Sequence, residues 1–272
     1  MRPQLLSFLL LGQGAFGAGP NTITNAEKAA GWRLLFDGKT YKNWRSPDRM
    51  QPASDSWTIA DGCIKANRGP KIREDLISAE KYRDFELTWE WRISEGGNSG
   101  VKYRIQKLVW MDSAKKMPGG KRFEETVGYE LENHPSDRSN VSAKGGEEYV
   151  VSFEYQMIDN DRHADAKRGP LYQTGALYSI QPPSKQVAKP VGEFNQSRLI
   201  IKGNHVEHWL NGEKVIDAML DSPVIKEGAG NRWKGVQSVY DLLVNQPERD
   251  CHFSLQNHND EVWFRDIKIR RL

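Results

Sequence analysis

The stretch that decides the fold is DFELTWEWRI, residues 84–93. From Phe85 to Ile93 an apolar side chain stands at every second position, with polar or charged side chains between. Successive side chains of a β-strand point to opposite faces, so this alternation predicts a strand with one buried and one polar face. The same alternation recurs in VKYRIQ (101–106) and SFEYQMID (152–159).

Turn signals divide much of the remaining chain into further short strands. An Asp-Gly pair lies between two strand-like runs in residues 55–66, and an Asn-Gly pair joins two more in residues 205–217. Such pairs suit two-residue hairpin turns, because their central residues need positive φ angles. Residues 25–30 and 235–244 suit only short helices. The pattern predicts an all-β protein built as a two-sheet antiparallel β-sandwich.

Composition indicates a globular protein of ordinary charge. The 272 residues are 38% hydrophobic and 28% charged, which fits one large domain, here expected over residues 27–272. The formal net charge is only +3, and basic and acidic residues are mixed, so nucleic acid and anionic membranes are not indicated as partners. Two cysteines exclude a scaffold built on disulfides. Residues 107–150 are polar and weakly periodic, and we expect a long, functional insertion between two core strands there.

The N-terminus has the layout of a secretory signal peptide over residues 1–17. Arg2 precedes an apolar run from Leu5 to Leu11, and small residues follow up to a cleavage point after Gly17. The apolar run is too short to span a bilayer. We therefore expect an exported, soluble protein without a membrane anchor.

Several familiar chemistries lack their usual motifs. The sequence contains no CxxC pair, HExxH, Walker-type glycine loop or GxSxG elbow. The acidic segment at 159–169 lacks the ligand spacing of an EF-hand, and a solvated turn explains it. What remains are polar pairs on strand faces: Glu154 with Gln156, Lys102 with Arg104, and Gln256 with His258. Each pair also fits the solvent-exposed face of a half-buried sheet. Gathered on one concave sheet, they would suit a sugar.

The order of motifs resembles a known family. GWRLLFDGKTYKNW (31–44), DLISAEKYRDFELTWEWRI (75–93), GGNSGVKYRI (96–105), FEYQMIDNDRHADAKRGPLYQTGALYSIQPP (153–183) and LQNHNDEVWFRDIKIRRL (255–272) resemble the 3-keto-disaccharide hydrolase domain family, formerly domain of unknown function 1080. The resemblance extends in order from about residue 31 to residue 272. Its main departure is the segment 107–150, which is longer than expected.

The resemblance implies a concanavalin A-like jelly roll, as found in lectins and glucanases. It also implies an exported bacterial protein. Because Cys63 is the first cysteine, a lipobox is absent, and we expect a periplasmic or secreted protein. The implied activity is cleavage of glycosides whose sugar has been oxidised at C3 by a separate sugar 3-dehydrogenase. A divalent cation is compatible with the resemblance, but no ligand spacing defines one. The alternative is a non-catalytic carbohydrate-binding module of the same fold.

Site residues are carried over from the resemblance as hypotheses. Glu154 is the first candidate for the functional carboxylate, as base, sugar ligand or metal ligand. His258 is a candidate acid or base, and Arg104 or Lys189 would stabilise an enolate oxygen. The remaining expected substrate contacts are Gln156, Gln256, Asp159, His163, Tyr178 and Asn98, although Asn98 also suits a turn. The linkage, the anomer, the leaving group and the oligomeric state are not defined by the sequence.

Overall fold

A computed structural model describes residues 19–46, 54–112, 122–133 and 146–272. The predicted signal peptide, residues 1–17, lies outside the described residues. The described strands form two sheets. The larger sheet contains β1 (Arg33–Leu34), β3 (Trp57–Ala60), β4 (Cys63–Ala66), β7 (Phe85–Ile93), β10 (Asn195–Lys202), β11 (His205–Leu210), β12 (Glu213–Met219) and β14 (Val262–Arg271). The smaller contains β2 (Trp44–Arg45), β5 (Ile72–Arg73), β6 (Leu76–Ser78), β8 (Asn98–Asp112), β9 (Gly146–Ile158) and β13 (Ser254–Leu255).

The strand order confirms the predicted sandwich. The larger sheet runs β12-β11-β10-β7-β14-β4-β3, with β1 also paired to β14, and the smaller runs β2-β6-β13-β8-β9-β5. Described neighbours are antiparallel except for β5, which lies parallel to β9. Both predicted hairpins are present: β3 pairs with β4 and β11 with β12, each across a turn whose two central residues have positive φ.

The alternation in β7 places the core. Its five apolar side chains are at most 4% exposed. Trp89 meets Tyr155 of the opposite sheet edge to face, with ring centroids 5.2 Å apart. Burial of such large aromatic side chains between the layers supplies much of the favourable free energy of folding. The core residues of β9 therefore point inward, and its polar residues Glu154 and Gln156 point out of the sandwich.

Helices and turns lie at the edges of the sheets. They are α1 (Asn25–Ala29), α2 (Phe123–Asn133), α3 (Pro223–Arg232) and α4 (Gln237–Tyr240), with 3-10 turns at Ala166–Arg168 and Pro170–Tyr172 and a π-helical turn at Asp241–Asn245. The first helix and the α4 segment match the predicted short helices. No helix of the described residues is long and apolar enough to cross a membrane. Cys63 and Cys251 are both buried and unpaired.

Residues 107–150 contain more regular structure than their sequence indicates. Strands β8 and β9 continue into this segment and pair from Lys107 with Val151 to Asp112 with Gly146. Helix α2 lies between them in sequence and packs against β8. Both faces of this part of the hairpin are partly covered, so it lacks the clean two-residue period of a half-exposed sheet.

Candidate active site

A cleft of about 680 Å³ opens on the outer face of the smaller sheet. Its floor is the polar face of β8 and β9, and the chain from residue 163 to 179, the start of α2 and the end of α3 form its walls. The wall after β9 is held against that strand by backbone hydrogen bonds: the N–H of Tyr178 donates to the carbonyl of Glu154 at 3.0 Å. Seven predicted site residues line this cleft: Asn98, Glu154, Gln156, His163, Tyr178, Gln256 and His258.

Three predicted site residues lie elsewhere. Arg104 should share a face with Lys102, but the β8–β9 register shifts between Tyr103 and Lys107, and Arg104 itself has a φ of 55°. This β-bulge breaks the two-residue period and turns the guanidinium away from the cleft. The guanidinium donates instead to the backbone carbonyl of Arg249, at 2.8 Å, and to the backbone carbonyl of Gly203.

The other two residues outside the cleft have local partners. The Asp159 carboxylate accepts the backbone N–H groups of Gly96, Asp161 and Arg162 at 2.8, 3.0 and 3.2 Å, and so organises the turn after β9. The exposed Lys189 ammonium donates to the carbonyl of Phe194 at 2.9 Å. These contacts give Asp159 and Lys189 structural roles in their loops.

Glu154 occupies the centre of the charged part of the cleft. Glu154 is 7% exposed, and it lies directly across the strand pair from Lys102. Burial raises the pKa of Glu154 to about 7, because desolvation of the carboxylate outweighs the opposing influence of Lys102 and Arg232. Both the protonated and the ionised form of this carboxyl group are therefore present near neutral pH.

A buried ion pair lies beside Glu154. The Lys102 ammonium is 3.1 Å from the Asp75 carboxylate, which also accepts the hydroxyl of Ser254 at 2.8 Å. Burial opposes the charge on Lys102, but Asp75 and Glu154 outweigh it and raise the lysine pKa. Strand alternation already placed Lys102 on the polar face of β8. It could not place Asp75, because Asp75 precedes a three-residue strand, which is too short to show a period.

Gly100 makes room for the Glu154 side chain. A Cβ at this position would lie 2.5 Å from Glu154 Oε1 and 2.9 Å from its Cγ, well inside van der Waals contact. Gly100 thus lets the carboxyl group lie flat over β8. Its carbonyl also accepts the backbone N–H of Gln256 at 2.9 Å, which places the Gln256 segment beside the cleft floor.

If Glu154 acts on the substrate, we expect Gly100→Ala to lower kcat/KM by about tenfold or more, since a misplacement of one ångström can cost up to about a hundredfold. Steady-state kinetics on a 3-keto-glycoside, the substrate class that the sequence resemblance implies, checks this. Gly230→Ala in α3 is the matched control, because the nearest atom to its added methyl is 3.8 Å away. Full activity of Gly100→Ala would show that the position of the Glu154 carboxyl is not critical.

Amide side chains complete the cleft floor. The Gln156 amide can be placed in two orientations, and only one of them satisfies the hydrogen bonding of both its oxygen and its nitrogen. In that orientation the nitrogen donates to Glu154 Oε1 at 3.2 Å and to the Ser99 carbonyl at 3.1 Å. The Oε1 atom of Gln256 is buried without a hydrogen-bond partner among the described residues. A buried acceptor without a partner is costly, so a hydroxyl of a bound ligand would satisfy it.

Two groups of the described residues have ligand atoms that all lie within 4.8 Å of one another: His205, Glu207 and Asp217, and, beside the cleft, His163, His258 and Asp260. However, Nδ1 of His163 accepts the backbone N–H of Asp165 at 3.0 Å, which assigns the ring proton to Nε2. Neither nitrogen of His163 then offers a free lone pair, and the three residues do not fit a preformed cation site. Burial lowers the pKa of His258 to about 4, which leaves this imidazole neutral at neutral pH.

Fold and site together define a class: jelly-roll sandwich proteins, to which lectins also belong, with a polar, aromatic-walled ligand cleft on one sheet. The chain belongs to the 3-keto-alpha-glucoside-1,2-lyase-like family, whose model matches residues 31–270. It is 32% identical over 260 residues to the 3-keto-disaccharide hydrolase of Bacteroides thetaiotaomicron, covering 90% of this chain and 79% of that protein.

Solved structures agree with this assignment. A crystal structure of a candidate glycosyl hydrolase from Parabacteroides distasonis superposes with a TM-score of 0.68 at 26% identity, over 93% of this chain and 99% of the other. A second structure from the same organism has a TM-score of 0.53 at 21% identity, over 89% of this chain and 99% of the other, and shows the shared fold. The predicted family and the predicted jelly roll are therefore confirmed.

Proposed function

We propose that this protein cleaves glycosides whose sugar carries a ketone at C3, by removing the C2 proton and eliminating the group on C1. Family membership and the name of the Bacteroides relative support a glycoside hydrolase or lyase. The observation that carries the proposed mechanism is the buried Glu154 carboxyl, with a pKa of about 7, on the floor of the cleft. A general base works best when its pKa lies near the operating pH.

The chemistry follows from the ketone. A carbonyl at C3 acidifies the hydrogen on C2, so a carboxylate can remove that proton and leave an enolate. The enolate then expels the oxygen on C1, which takes up a proton and leaves as an alcohol, and water adds across C1 and C2 of the resulting unsaturated ketone. Because no oxocarbenium ion forms, a paired set of glycosidase carboxylates at fixed separation is not needed.

The cleft residues divide into two roles. Glu154 takes the C2 proton, and Gln156 holds its carboxyl group in place. Gln256, Asn98 and His258 lie along the same cleft and bind the sugar hydroxyls. With its pKa near 4, His258 is neutral at neutral pH and acts there as a hydrogen-bonding group rather than as an imidazolium acid.

The test is an assay of purified protein with 3-keto-glucosides and with the parent glucosides, with and without added divalent cations. Release of the leaving group from the ketones alone is the expected result. Glycan binding without turnover of any ketone would instead support the carbohydrate-binding module. The same assay, run with a sugar 3-dehydrogenase and the unoxidised glycoside, tests the proposed functional pairing.

Activity should depend on pH through Glu154. Only the carboxylate form is a base, so kcat/KM reaches its full value about one pH unit above 7, falls as pH decreases through about 7, and approaches a tenfold loss per pH unit below it. A pH–rate profile from pH 5 to 9 measures this limb. A profile without a limb between pH 6 and 8 would remove Glu154 as the base.

The rim of the cleft offers a leaving-group subsite. Phe123, at the start of α2, is 41% exposed, lines the cleft and meets Tyr149 edge to face with centroids 5.2 Å apart. We infer that this part of the 107–150 segment contacts the leaving group.

Phe123→Ala should therefore change the ratio of kcat/KM for large and small leaving groups by up to about tenfold, the value of one aromatic contact. Competition between two 3-keto-glycosides measures that ratio. Tyr129→Ala is the matched control, because Tyr129 lies on the same helix, is 40% exposed and does not line the cleft. An unchanged ratio in Phe123→Ala would place the leaving group elsewhere.

We also propose that the protein works in the periplasm or outside the cell. The support is the layout of residues 1–17. N-terminal sequencing of protein recovered from the periplasm and medium of an expressing bacterium tests this proposal. A chain that retains its N-terminus and stays in the cytoplasm would contradict it.

A further inference from the structure

Arg232 is a cation in the cleft wall that the proposed reaction has not yet used. It is the last residue of α3, is only partly exposed, and lines the cleft. Helix α3 has no clear amphipathic pattern, since the sequence PVIKEGAGNR contains two glycines and buries only Ile225 and Ala229. No periodicity in this segment therefore predicts that Arg232 reaches the site.

The guanidinium is held by neutral groups. Nη1 donates to the Tyr178 carbonyl and Nη2 donates to the Tyr149 hydroxyl, both at 3.2 Å. The guanidinium carbon also lies 4.7 Å from the ring centroid of Tyr178 and 5.3 Å from that of Trp233. These contacts fix the orientation of the group and leave its positive charge in place.

The other cations of the cleft are neutralised. Lys102 pairs with Asp75, Arg73 pairs with Glu147, and Arg168 pairs with Asp165. Arg232 has no carboxylate within ion-pair distance among the described residues. A cation that is largely shielded from water and has no carboxylate beside it is unfavourable, so this arrangement suits a site in which the ligand supplies the negative charge.

We propose that Arg232 binds the oxyanion that develops at C3 when Glu154 removes the C2 proton. In this step the C2–H bond breaks, the proton goes to the carboxylate, and the electron pair forms the C2=C3 bond as the carbonyl becomes C3–O⁻. One negative charge thus moves from Glu154 to the substrate, and Arg232 acts electrostatically on Glu154 across the same cleft. A fixed donor aimed at developing charge stabilises the transition state more than the ground state. The inference rests on the proposed function.

A ketosugar without an exocyclic leaving group on C1 isolates this step. In the 3-keto derivative of 1,5-anhydroglucitol, C1 carries only the ring oxygen, so no leaving group is released and proton removal is seen as exchange of the C2 hydrogen for deuterium in D2O. The C4 hydrogen, which is also next to the ketone, reports the uncatalysed exchange in the same NMR spectrum. We expect the unmodified protein to accelerate exchange at C2 alone.

Arg232→Gln should reduce the C2 exchange rate, and kcat on a full substrate, by about 100- to 1,000-fold, as for loss of an oxyanion donor. KM should change by less than about threefold, because the contact forms mainly in the transition state. Arg232→Lys should retain part of the rate, and free guanidinium should partly restore Arg232→Ala, which also shows that the variant is folded. Arg265→Gln is the matched control, because Arg265 lies outside the cleft. Its guanidinium carbon stacks 3.6 Å from the ring centroid of Phe194.

The outcomes separate the two proposals. If the unmodified protein catalyses C2 exchange and Arg232→Gln does so equally well, the role of Arg232 is wrong while the function stands. If Arg232→Gln only raises KM for substrates with a carboxylate, Arg232 binds a permanent anion and the enolate assignment is overturned. If the unmodified protein neither exchanges C2 nor turns over any ketone, the proposed function itself fails.

Discussion

Glu154→Gln is expected to lower kcat/KM on 3-keto-glycosides by at least about a hundredfold, the low end for loss of a general base. The amide has nearly the shape of the carboxyl group, and near neutral pH part of the native Glu154 is already uncharged. The substitution therefore removes the base with little change in packing or charge. Steady-state kinetics at pH 8, where the native group is mostly ionised, shows the largest difference.

A matched control separates catalysis from folding. Glu90→Gln makes the same change on the outer face of the larger sheet, where Glu90 pairs with Arg265 at 2.8 Å. We expect it to leave kcat/KM within about twofold of the native value, because an exposed ion pair contributes little. If Glu154→Gln keeps full activity with normal thermal stability, Glu154 is not the base and another group removes the C2 proton.

Lys102→Met is expected to decrease the free energy of unfolding by about 3–5 kcal/mol, because it leaves the buried Asp75 carboxylate without its cation. Urea unfolding at pH 7 measures this loss. The variant should also shift the acid limb of the pH–rate profile upward. Lys102 lowers the pKa of Glu154, so its removal raises that pKa and the carboxylate is lost at a higher pH.

The double variant Lys102→Met/Asp75→Asn tests the cause. Removing both charges eliminates the unpaired carboxylate, so we expect it to recover much of the lost stability, as in other replaced buried pairs. Equal destabilisation of the single and double variants would show that packing, rather than the charge on Asp75, sets the stability. A single variant as stable as the native protein would show that the pair is not structurally important.

The sequence anticipated much of the site because strand alternation and the family motif agree. Glu154 and Gln156 share a face, and the motif places that face in a cleft, as the structure shows. Arg104 was misplaced because period two fails at a β-bulge, and no residue type in VKYRIQ marks that bulge. Arg232 and Asp75 were missed because their segments lack a period that would assign them to a face.

What the sequence by itself determined is the architecture and the family. Alternation in strands such as β7 separates a core face from a polar face, and this local pattern needs no knowledge of the partner strand. Tertiary structure alone decided the charge state of the cleft. The pKa of Glu154, and the lack of a carboxylate beside Arg232 among the described residues, depend on burial and on distances to charges far away in the chain, and neither quantity is written in a local pattern.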